Sequence, residues 1–153
     1  MNGSNPQSTL RIAGHPIHPM LIPFPIAFFV GTFAVDLAFS RSGNLFWAAA
    51  GRWLLGAGLV MAALAATAGL IDFLGDRRIR ALNAAWHHMV GNVLAVLLEL
   101  FNLWQRLHTG NAFIVPTGLV LSGVVTLLLL YNGWRGWEMV YRGRVGVSDE
   151  SGT

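Results

Sequence analysis

The sequence predicts an all-α integral membrane protein, a four-helix bundle running up-down-up-down with both termini on the same side. Composition is the first observation: of 153 residues, 54% are hydrophobic and 11% charged, where a soluble domain averages about 25% charged. The mean hydropathy is +0.55. The second is the recurrence of four apolar runs, each long enough at about 1.5 Å per residue to match a hydrocarbon core of roughly 30 Å. The third is the shortness of the links, which makes successive spans antiparallel neighbours.

Taken in order, residues 1–13 read as a flexible lead, 14–147 as one membrane domain and 148–153 as a flexible tail, because both ends are polar. The lead has no basic n-region and no small-residue cleavage site, so the first span is expected to be retained. That span, 20–39, is apolar apart from Thr32, Asp36 and small residues, and the turn signal Ser40-Arg41-Ser42-Gly43-Asn44 closes it. The second, 54–74, carries Asp72 as its sole charge. Its Gly58, Ala62 and Ala66 recur every four residues, a pattern that lets helices approach closely in lipid. The third, 84–104, holds His87, His88, Asn92, Glu99 and Asn102. The fourth, 113–137, places Pro116 in its first turn, where proline is tolerated.

Charge gives orientation and excludes other classes. All ten basic residues are arginine and the net charge is +3, but the arginines lie between apolar runs rather than along one solvated face, so a nucleic-acid partner is not expected. Four spans put Arg11, Arg77, Arg78, Arg80, Arg135, Arg142 and Arg144 on one side, against Arg41, Arg52 and Arg106 on the other. Positive charge stays inside, so both termini are expected in the cytoplasm. Trp86, Trp134 and Trp137 near one face, and Trp47, Trp53 and Trp104 near the other, fit two interfacial belts. The expected partners are the lipid bilayer and, through helix faces, further copies of the chain. No phosphate loop or nucleophile motif occurs, and with no cysteine any metal must be held by nitrogen or oxygen.

The least ordinary stretch is 14–25, GHPIHPMLIPFP, in which two histidines each precede a proline at the mouth of the first span. Proline suits a first helical turn and pushes its predecessor toward extended geometry, so His15 and His18 are expected at a helix entrance. The topology gathers them with His87 and His88, and with Asp72, Glu138, Tyr131, Tyr141 and Arg142. In span three His88, Asn92, Ala95, Glu99 and Asn102 are spaced 4, 3, 4, 3, the period of one helical stripe. A charge at mid-bilayer costs at least about 2.5–3.5 kcal/mol, so the stripe should face the bundle interior and His87 should not. Asp36 and Glu99 lie toward the other side, with Arg52 their nearest expected partner. A polar clamp is the first reading of those residues and a proton path the second.

Three functions are consistent with these residues. Imidazoles from two helices bind haem b, with His15, His18, His88 and Asn92 as cofactor-binding candidates, in membrane electron transfer. Alternatively two or three of His15, His18 and His88 join Asp72 or Glu138 around Fe or Zn. The third is a non-catalytic structural, transport or partner-binding subunit with a polar plug, in which Asp36, Arg52, Glu99, Tyr141 and Arg142 are structural polar residues.

The chain resembles the bacterial membrane proteins of domain-of-unknown-function family 2231 (DUF2231). The resemblance rests on HPIHPMLIPFPIAFF at 15–29, GLIDFL at 69–74, His88 with Asn92, and YNGWRGWEMVYRGRVGV at 131–147. Relatives end in a Glu-Leu-Val-Tyr-Arg segment followed by His-Gly-Val-Gly-Val; here Gly143 and Arg144 stand at that histidine and the next glycine. The resemblance implies a redox partner of the Rieske iron–sulfur type.

The arginine bias predicts that a reporter fused after Thr153 is active when it requires the cytoplasm and silent when it requires the periplasm. The opposite pattern would reverse the orientation.

Overall fold

The computed structural model describes residues 5–6, 8–145 and 147. The expected tail, 148–153, lies outside the described residues. Order along the chain is β1 (Arg11–Ile12), β2 (His15–Pro16), α1 (Ile17–Leu21), α2 (Pro23–Ser42), α3 (Leu45–Gly75), α4 (Arg77–Arg80), α5 (Asn83–Thr109) and α6 (Leu119–Tyr141). Three helical runs, Ile17–Ser42, Leu45–Gly75 and Asn83–Tyr141, are long and apolar enough to cross a membrane.

The last run is not one rod. A 3-10 turn at Gly110–Phe113 and a π-type turn at Ile114–Gly118 separate α5 from α6, and Val115 is extended, with φ −122° and ψ 125°. Pro116 is the cause, since its ring excludes helical geometry at the residue before it. The expectation that Pro116 sits in the first turn of the last span is thereby corrected: α6 starts at Leu119. Beyond the break α6 doubles back on α5, with His88 against Asn132 and Arg106 near Gly118.

Helix ends also differ from the sequence reading. α3 begins at Leu45 instead of residue 54, because Asn44 caps it by accepting from the Phe46 N–H at 2.9 Å and the alanine-rich turns that follow favour helix. Gly43, at φ 63°, ends α2 in the left-handed conformation that glycine adopts without penalty. α5 runs to Thr109, past the expected end at residue 104. Both extensions place an arginine, Arg52 or Arg106, inside a helix rather than in a loop.

α2 packs on α3 and α6, and α5 on α3 and α6. Phe29, Leu55, Ala62, Ala95, Val125 and Leu129, drawn from all four, form the apolar core. A smaller cluster of Phe73, Ile79 and Ala85 seals the end where α4 lies. Outside, Val60, Leu64, Leu97, Leu127 and Leu130 are each more than half exposed. An outer surface of that kind belongs in lipid.

α3 meets its neighbours along a stripe of small residues, but not at a strict spacing of four. Gly51, Leu55, Gly58, Ala62, Ala65, Ala68 and Asp72 are buried, whereas Ala66 is exposed. Steps of four drift by about 40° each, so a buried line must alternate threes and fours. At Gly58 an added Cβ would stand 2.6 Å from Cε1 of Phe29.

Gly58→Ala is therefore expected to destabilise the protein by about 1–3 kcal/mol through overpacking. Gly56→Ala, where a Cβ meets nothing within 4 Å, should be neutral or stabilising by up to about 1 kcal/mol. Thermal unfolding in detergent compares the two.

Candidate functional site

The inner face of α5 organises the polar residues. His88 and Asn92 are half-buried, Ala95, Glu99 and Asn102 are buried, and His87 is exposed. The stripe points inward as its period requires. It also continues one step further than the sequence reading took it, to Arg106, four residues beyond Asn102 and 1% exposed. These residues make two polar stations with the apolar core between them.

The station near the 110–118 break is built on an ion pair. Arg106 donates from Nη1 to Asp36 Oδ1 at 2.8 Å and from Nη2 to Asp36 Oδ2 at 2.6 Å. Its Nε donates to Asn102 Oδ1 at 2.9 Å, and Asn102 Nδ2 donates to Glu99 Oε2 at 2.8 Å. Ser122 of α6 donates to Asp36 Oδ2 at 2.8 Å. Glycine makes the room: a Cβ at Gly51 would lie 2.9 Å from Arg106 Nη1, and one at Gly118 would lie 3.1 Å from Nη2. The expected partner of Asp36 and Glu99, Arg52, is not used. It donates to Asn111 Oδ1 at 3.2 Å, because its place in α3 turns it to the 110–113 turn while Arg106 occupies the stripe.

The other station holds a histidine pair. His18, in α1, bonds through Nδ1 to the Ala65 carbonyl of α3 at 2.7 Å, and His88 through Nδ1 to the Asn132 carbonyl of α6 at 3.0 Å. A carbonyl only accepts, so each Nδ1 carries a proton, and in the neutral form of either ring the lone pair is on Nε2. The ring centroids are 6.4 Å apart and the planes perpendicular. Gly69 and Gly136 admit the rings: an added Cβ would come within 2.7 Å of His18 and 3.3 Å of His88. Asn132 donates from Nδ2 to Asn92 Oδ1 at 3.2 Å, and its own Oδ1 is buried with no hydrogen-bond partner among the described residues.

Four further candidates stand apart from this pair. His15 lies in β2, exposed, with Nδ1 bonded to the Ala13 carbonyl at 3.0 Å, because the turn at Ala13 and Gly14 folds it back on Arg11–Ile12. Asp72 accepts from Ser8 Oγ at 2.9 Å, Thr9 N at 2.7 Å and Leu10 N at 2.9 Å, tying the N-terminal lead to α3. Glu138 accepts from Arg135 at 2.8 Å and Arg142 at 3.3 Å on its own side of the chain. Tyr141 is exposed and stacks on Trp137 with centroids 5.0 Å apart. Among the described residues neither Asp72 nor Glu138 is hydrogen-bonded to a histidine, and no three of His, Cys, Asp and Glu gather as a metal set.

Arg106, Ser122 and Asn132 were not singled out from sequence. Arg106 was legible as the next step of the stripe, and Asn132 as a lone amide in the apolar run 127–134. Ser122 had no comparable signal.

Fold and site together define a helical membrane protein with a buried ion pair at one end and a paired-imidazole station at the other. The family model for predicted membrane proteins of DUF2231 matches residues 14–149, and the chain belongs to that family. No curated protein and no solved structure matches it.

Removing one partner of the buried pair leaves the other charge uncompensated. Asp36→Asn and Arg106→Met are each expected to cost about 3–5 kcal/mol, and the double change less than their sum. Unfolding in mixed detergent measures the cycle; full additivity would mean the two side chains are not coupled.

Proposed function

We propose that this is a four-span protein of a bacterial inner membrane, up-down-up-down with cytoplasmic termini, in which His18 and His88 would hold one b-type haem serving membrane electron transfer. The observation that carries the reading is the pair of Nδ1 bonds to the Ala65 and Asn132 carbonyls, which leaves an Nε2 lone pair on each ring. The two rings come from different helices, and their centroids lie 6.4 Å apart.

Haem would need only two donor side chains from the protein, and His18 and His88 would supply them. The Fe or Zn alternative needs a third donor, and Asp72 and Glu138 are engaged by the lead and by Arg135 and Arg142. When bound, haem supplies reversible one-electron chemistry. The chain's own part is to hold the two rings: the carbonyls fix the tautomer, and Gly69 and Gly136 let the rings pack against α3 and α6. Arg106 is buried, so the basic residues left outside the core at that end are Arg41 and the half-buried Arg52, against the seven at the other, which favours the cytoplasmic placement. A Rieske-type protein, the redox partner that the resemblance implies, is the proposed electron-transfer partner.

A second reading has an observation of its own. The same Nδ1 bonds tie α1 to α3 and α5 to α6, so the rings also serve as interhelical clamps in a structural or transport subunit.

Protein purified from haem-supplemented cells is expected to show a Soret band. His18→Ala and His88→Ala should lose it, and His15→Ala and His87→Ala should keep it. No Soret band in the wild type would leave the clamp reading standing.

A further inference from the structure

Glu99 is fully buried, and its Oε1 has no hydrogen-bond partner among the described residues. Its other oxygen has one donor, the neutral Asn102 amide. The charged groups acting on it are Arg106, on α5 itself, and Asp36 from α2. α6 presents the Ser122 hydroxyl and α3 presents Gly51 to this cluster, and the nearby Arg52 is turned to Asn111.

The charges in that set already balance without Glu99. Arg106 is matched by Asp36 through two parallel bonds, and its Nε is used by Asn102. Asn102 thus stands between the guanidinium and Glu99. An ionised Glu99 would add a net negative charge to a cluster closed to water, with one oxygen bearing that charge and receiving no hydrogen bond. Burying a carboxylate in that condition costs several kcal/mol, and such groups neutralise instead.

We propose that Glu99 is a proton-binding site within the membrane, holding its proton at neutral pH while Asp36 remains ionised against Arg106. The ligand is a proton, carried on the carboxyl whose second oxygen Asn102 fixes. The haem reading is not needed for this inference, and the two fail independently.

The test is infrared spectroscopy of the full chain in lipid vesicles. A carbonyl stretch of protonated carboxylic acid is expected at neutral pH, shifting in deuterated water and fading as the pH is raised. It should be lost in Glu99→Gln. Should that variant not fold, carbon-13 glutamate in the wild type should move the band and carbon-13 aspartate should leave it in place. Absence of the band in the wild type at neutral pH, persistence in a folded Glu99→Gln, or a shift with labelled aspartate would each overturn the proposal.

Discussion

The Arg106–Asp36 pair is the interaction on which the rest of the arrangement depends. Both side chains are at or below 1% exposure, and neither charge is tolerable in lipid alone. Two parallel bonds, together with Asn102 and Ser122, offset the desolvation and fix α5 against α2 and α6. Gly51 and Gly118 complete the site by having no side chain where the guanidinium lies. Such a pair is a weak source of net stability but a strong constraint on register. A helix slip of one residue would turn the stripe by about 100° and strand the charge.

From that fixed point the other inner residues of α5 follow by helical arithmetic. Ala95 meets the apolar layer of Phe29, Leu55, Ala62, Val125 and Leu129, and Asn92 and His88 emerge beyond it. His88 is eighteen residues before Arg106 and His18 eighteen before Asp36, five turns in each case. Equal spacing along two helical runs, Ile17–Ser42 and α5, lets a bond between Asp36 and Arg106 at one end accompany a close approach of His18 and His88 at the other. The apolar layer separates the stations, so chemistry at one does not require water at the other.

Much of this was legible from residue order alone. The stripe from His88 to Asn102 showed which face of α5 is inside, and it separated His88 from His87, because period is a local property of a helix. Arg106 escaped because a charge beside a turn signal reads as a loop residue, and only the extension of α5 to Thr109 carries it inward. Arg52 was misassigned for the matching reason, since α3 starts at Asn44's cap and not at the apolar run. The expected joining of Asp72 and Glu138 to the histidines failed on a different ground. Topology brings groups to one depth, but partners are chosen by local geometry, and the lead's backbone N–H groups and the arginines one turn away reach those carboxylates.

The claim that two imidazoles from different helices serve one group is tested most directly by electron paramagnetic resonance of the oxidised, purified protein. The account predicts a low-spin ferric signal of bis-imidazole ligation. A high-spin signal, or no haem iron, would contradict it.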